Sequence, residues 1–145
     1  MTGMVAKRGD TASFSKTVSE SDVYLFAGIT GDFYQAHTNE EAMKATSYGR
    51  RIAHGALLVG FMSTTSTMII HQAASRGDRS VPVALGFDRI RFIAPVFLGD
   101  TITVTYAITE ADEDRRRTTA EIEIRNQRQE VVCVATHLIK WLEAK

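Results

Sequence analysis

One cysteine in 145 residues, Cys133, excludes an intrachain disulfide. It lies in the apolar run Val131-Val132-Cys133-Val134-Ala135, which reads as a buried strand, so the thiol is read as inert packing. Net charge is also missing: Lys+Arg and Asp+Glu balance at 17 each. No global field recruits nucleic acid or an anionic membrane, and a phosphate-bearing ligand must be held by local basic groups. The N-terminal stretch lacks the apolar core of a signal peptide, which points to a cytoplasmic protein. There is no internal repeat, low-complexity segment or linker, and the length suits a single domain over residues 1–145.

Charge is absent locally as well, because no Asp, Glu, Lys or Arg occurs from Ile52 to Ser75. That length can span a bilayer. Its centre, Ser63-Thr64-Thr65-Ser66-Thr67, places five hydroxyls where lipid tails would lie, with His54, His71 and Gln72 near the ends. The segment is therefore read as a core helix from about Gly55 to Ala74, with Leu57, Leu58, Phe61, Met62, Met68 and Ile69 on one stripe. Such a helix is expected to be covered on most sides.

Around it the periodicity predicts the other elements. Phe14 to Val18 reads as a strand, and Ser19 to Asp22 as a capping box opening a short helix that ends near Thr30. Asn39 to Lys44 reads as a second small helix. Val83–Ile93, Thr101–Ile108, Ala120–Ile124 and Val131–Trp141 read as strands, the last apolar on both faces and suited to the middle of a sheet. The Asp112–Arg117 charges form a hairpin tip, and Asn126–Gln129 the next turn. This is an α+β arrangement in which an antiparallel sheet wraps the long helix.

Three stretches carry chemistry. Gly31-Asp32-Phe33-Tyr34-Gln35-Ala36-His37 sets a carboxylate and an imidazole five residues apart on a loop between short helices. Such a pair can hold one water between two groups that exchange protons, as hydration of a conjugated thioester requires, without a metal. An aspartate capping a loop beside a surface histidine has the same spacing. His54-Gly55 opens the long helix, where free N–H groups suit developing negative charge and glycine lets a ligand approach closely. A helix-start glycine chosen for packing looks the same. Phe92 to Thr101, with Pro95 and Gly99-Asp100, reads as a structural turn between strands.

Taken in order, Gly31-Asp32 with His37, His54-Gly55, and Phe92, Pro95, Val96 and Gly99-Asp100-Thr101 resemble the MaoC-like dehydratases and (R)-specific enoyl-CoA hydratases over about residues 15 to 140. The resemblance implies the hot-dog fold, usually a homodimer with its acyl tunnel between subunits. It also implies an acyl-CoA or acyl carrier protein thioester as substrate, with no cofactor beyond the coenzyme A of that substrate. Carried over, Asp32 and His37 activate water, Gly55 donates its N–H to the thioester carbonyl, and Ser63 supports the catalytic loop. The chain departs from the family at Tyr34-Gln35, where Asn-Pro is usual. Losing proline frees the loop backbone, and Tyr34 brings a large ring to the pocket.

His54 is expected to bond locally and fix the helix start. Arg50, Arg51, Arg89 and Arg91 are spaced to offer cations at the pocket mouth, where one or more can meet coenzyme A phosphates. His71 and His137 have no Cys or His partner at ligand spacing, so no metal site is predicted. Two other functions stay open: thioester hydrolysis on the same fold, and a non-catalytic subunit that binds acyl thioesters.

Overall fold

The computed structural model describes residues 3–145. Its elements run β1 (Thr11–Thr17), α1 (Glu20–Thr30), α2 (Gln35–Thr38), α3 (Glu40–Lys44), α4 (Gly55–Ser75), β2 (Val81–Phe92), β3 (Thr101–Asp112), β4 (Arg117–Arg125) and β5 (Val131–Leu142). The strands form one antiparallel sheet in the order β1-β3-β4-β5-β2. β5 is interior, as its doubly apolar sequence requires, and β2 is an edge. Pro82, which has no N–H to give, is tolerated in such an edge strand.

The two-residue repeat of β3 puts Ile102, Val104, Tyr106 and Ile108 on the buried face, where they meet Ala120, Ile122 and Ile124 of β4. α4 packs on β1 and β3 through Leu58, Phe61, Met62, Thr65, Ser66, Ile69 and Ala73. The two buried hydroxyls are satisfied inside the helix. Thr65 donates to the Met62 carbonyl at 2.7 Å, and Ser66 to that of Ser63 at 2.8 Å. Among the described residues no helix is long and apolar enough to cross a membrane. The helix is less covered than its sequence predicts: Ala56, Gly60, Ser63, Thr67, His71 and Ala74 lie exposed along one side, because the sheet lies against the other.

Local signals are kept closely. Ser19 caps α1, and its reciprocal bonds with Asp22 complete the capping box. The helix stops at Gly31, whose φ of 82° is costly for any side chain. Asn39 precedes α3 as its cap rather than lying inside it, accepting from the Ala42 N–H. β2 departs from strict alternation, with register shifts at Ala84/Gly86 and Asp88/Arg91, and Arg89 takes φ 50° in the second.

His137 is neither a surface nor a loose residue. It is 1% exposed, Phe87 stacks on it at 4.2 Å, and its Nδ1 lies 3.0 Å from the Tyr106 hydroxyl. Nε2 has no partner. Burial holds the imidazole down to about 4 and pushes the Tyr106 phenol up. The unfolded chain takes up a proton below about pH 6.5 that the folded chain refuses until about pH 4, so stability is complete above 6.5 and falls as pH drops through that window. Urea unfolding should show a loss on the order of 2 kcal/mol between pH 7 and 4.5 from this group. His137→Phe combined with Tyr106→Phe should flatten that slope, and an unchanged slope in the double variant would contradict the assignment.

Candidate active site

α1 ends at Gly31, and the chain turns through Asp32–Tyr34 into α2, so His37 sits on a four-residue helix and not on a loop as its sequence suggests. A helix this short does not hold itself together in water. The backbone of Ile52 supports it: Ile52 N–H donates to the Ala36 carbonyl at 3.0 Å, and the Ile52 carbonyl lies 2.7 Å from His37 Nδ1. A carbonyl oxygen only accepts, so Nδ1 carries the proton and the lone pair is on Nε2. Ile52 is itself anchored through its bridge to Phe97, and the next residue, Ala53, donates to the Val96 carbonyl at 2.7 Å.

His54 follows, 2% exposed, in the N-cap position of α4 but with no side-chain cap bond. It bonds across the site and not to its own helix. Its Nε2 lies 2.9 Å from the Asp32 carbonyl, and its ring stacks on His37 with centroids 3.7 Å apart. Without a side-chain cap, the Gly55 N–H has no hydrogen-bond partner among the described residues, whereas the Leu57 N–H bonds the His54 carbonyl at 3.1 Å.

Asp32 is exposed, and its carboxylate accepts from the Tyr34 N–H at 3.2 Å. One nitrogen or oxygen from each of Asp32, His37 and His54 lies within 4.8 Å of the others. A water hydrogen-bonded to two groups at about 2.8 Å each fits such a separation. The trio has the composition of a two-histidine, one-carboxylate metal set, which the sequence spacing did not suggest. Its geometry suits an ion poorly. Imidazole lone pairs lie in the ring planes, and two rings stacked at 28° aim them side by side, while each ring already gives a nitrogen to a backbone carbonyl.

His37 and Gly55 face one cavity of about 230 Å³, walled also by Tyr48, Leu58, Phe92 and Pro95. Phe92, Pro95 and Val96, read from sequence as a structural turn, form part of that wall. Gly99-Asp100 keeps the turn role: the buried Asp100 carboxylate accepts from the Phe97 N–H and from Gln127. Tyr48 and the Ile52 carbonyl are contributors that sequence reasoning missed. Tyr48 carries no pattern of its own, and a backbone carbonyl has no sequence signal.

The other expected residues fall elsewhere. Tyr34 is 62% exposed and meets His37 edge-on at 6.0 Å. Ser63 lies on the exposed side of α4 and, among the described residues, its hydroxyl bonds nothing in the Asp32 loop. Arg51 is not a free cation at the mouth, because Glu20 and Glu40 hold it at 2.5 and 2.6 Å and raise its affinity for its proton. Arg50 covers the Phe97 ring at 4.0 Å. Arg89 and Arg91 line a second depression of about 310 Å³ with Glu121, Val134 and Thr136, sharing no residue with the first. Cys133 is buried and its thiol is pushed up to about 11, consistent with packing.

The MaoC-like domain profile matches residues 5–132, and the chain belongs to that family. It is 41% identical over 104 residues to an (R)-specific enoyl-CoA hydratase of Rhodospirillum rubrum, an alignment covering 71% of this chain and 66% of that protein. It is 34% identical over 109 residues to a 3-hydroxybutyryl-CoA dehydratase of Methylorubrum extorquens, covering 75% and 64%. The chain thus spans just under two-thirds of the length of these relatives. A solved (R)-hydratase from A. caviae superposes with a TM-score of 0.79 at 26% identity, covering 93% of this chain and 96% of that one. The architecture is accordingly the hot-dog fold, a sheet with the long helix packed against it.

A Cβ on Gly55 would stand 2.7 Å from the tip of the Phe92 ring, which is 56% exposed. Gly55→Ala should therefore move the Phe92 ring and cost about 1–3 kcal/mol of stability at most. A crystal structure of the variant with the ring unmoved would contradict this.

Proposed function

We propose that the chain adds water across the α,β double bond of an enoyl thioester, or removes it from a 3-hydroxyacyl thioester. The observation that carries this reading is that His37 and Gly55 line one cavity, with polar atoms of Asp32 and His37 within 4.8 Å. The relatives' names point the same way. In hydration, a water held between the Asp32 carboxylate and His37 Nε2 loses one proton to the pair, and its oxygen bonds to the β-carbon. Negative charge moves to the thioester oxygen, where the Gly55 N–H meets it, an interaction typically worth ~10²–10³ in rate. The pair then returns a proton to the α-carbon. Dehydration uses the same groups in reverse.

The cavity takes the acyl end, and the coenzyme or carrier protein stays outside. Arg89 and Arg91, which enter no ion pair among the described residues, are the cations proposed to meet its phosphates from the sheet surface. The exposed side of α4, with Ser63, and the β2 edge, with Val81, Val83 and Leu85 exposed, are proposed to meet a second copy of the chain. Ser63 then acts across that contact and not within its own chain.

Loss of enoyl absorbance with crotonyl-CoA tests the activity. Asp32→Asn and His37→Ala should each lower the rate on the order of 10²-fold or more with the melting temperature preserved. Free thiol release instead would make the protein a thioesterase, and binding without turnover would make it a binding subunit. Arg89→Ala and Arg91→Ala should raise KM for the coenzyme A ester and leave kcat unchanged; KM values equal to that of the parent would remove these residues from the substrate path.

A further inference from the structure

His54 touches the proposed catalytic groups from three directions, and none of these contacts is explained by capping. Its Nε2–H donates to the Asp32 carbonyl at 2.9 Å, across 22 residues. Its ring covers one face of His37, with centroids 3.7 Å apart. Its peptide bond leads directly into Gly55. Phe26 of α1 closes in on the same ring at 4.7 Å, so the imidazole is clamped between α1 and α2.

The loop it bonds has little else to hold it. Asp32 N–H reaches Thr30 Oγ1 at 3.3 Å, Phe33 N–H reaches the Gly31 carbonyl at 3.2 Å, and Tyr34 N–H reaches the Asp32 carboxylate. Thr38 Oγ1 reaches the carbonyls of Phe33 and Tyr34. All of these bonds are between residues at most five apart, and they shape the turn without fixing where it points. Among the described residues, the His54 bond is the one that ties Asp32 to the start of α4.

Packing alone does not call for an imidazole at this position. Among the described residues His54 Nδ1 is buried without a hydrogen-bond partner, a loss that an apolar ring of similar size avoids. What a phenyl ring lacks is the donor to Asp32, and what an amide lacks is the aromatic ring that covers the face of His37.

We infer that His54 is a positioning residue that holds Asp32, His37 and Gly55 in register, through its donor to the Asp32 carbonyl and its face on the His37 ring. This rests on the proposed water-adding reaction for its kinetic consequence, and on geometry alone for its structural one.

The two contacts separate in three variants. His54→Phe keeps a ring and loses the donor, His54→Gln keeps an N–H donor and loses the ring, and His54→Ala loses both. The imidazole N–H of His37, bonded to Ile52, should exchange slowly with solvent in nitrogen-15 NMR spectra of the parent protein and of His54→Phe. It should exchange measurably faster in His54→Gln and His54→Ala. With crotonyl-CoA, kcat should fall on the order of 10²-fold in His54→Ala, and by less in the other two, with KM within about threefold of the parent. If His54→Ala does not fold, His54→Phe and His54→Gln carry the same comparison. Parental kcat and parental exchange in either variant that folds would overturn the inference. If the parent protein turns over no enoyl thioester, the proposed function fails, and the exchange pattern alone decides the role of His54.

Discussion

Ile52 gives both of its backbone groups to α2, receiving the His37 ring proton and donating to the Ala36 carbonyl. Four residues of helix have no stability of their own, so the position and tautomer of His37 are set by this neighbouring backbone and not by α2. Ile52 in turn is held by its bridge to Phe97, and Ala53 by the Val96 carbonyl. From there the chain reaches β5, because Ile93 N–H bonds the Val132 carbonyl at 2.8 Å. A histidine on a short helix thereby inherits the rigidity of the sheet.

The same short segment carries the register of the site. Residue 52 fixes His37, residue 54 fixes the Asp32 carbonyl, and residue 55 begins the helix whose first amides are uncapped. Three positions within four residues of chain therefore hold groups that arrive from α1, α2 and α4. Beside them Leu58 of the long helix, Phe92 and Pro95 line the cavity. Groups held at such separations suit proton exchange with a bound water, which is the chemistry the proposed reaction needs.

Long periodic elements were legible from the residues. The alternation of Ile102, Val104, Tyr106 and Ile108 appears in the structure as the buried face of β3, and the reciprocal bonds of Ser19 and Asp22 are the capping box their spacing predicts. α4 was legible in extent but not in cover, since nothing in its own sequence tells which side the sheet takes. α2 was not legible, because four residues cannot complete a hydrophobic period. His54 gave only its place at a helix start; that its ring turns to Asp32 and His37 is a tertiary fact. Arg89 and Arg91 look like residues at the cavity mouth when counted along the chain. The register shift between Asp88 and Arg91 and the left-handed backbone of Arg89 accompany a different placement, beside Glu121.

In the proposed reaction Asp32 and His37 meet one end of a bound acyl group and Gly55 the other. A crystal structure of the protein holding an unreactive saturated analogue of crotonyl-CoA tests this most directly. The thioester oxygen should lie within hydrogen-bonding distance of the Gly55 N–H, with the β-carbon facing Asp32 and His37 across one ordered water. An acyl group seated elsewhere, with Gly55 unliganded and His37 facing only solvent, would contradict it.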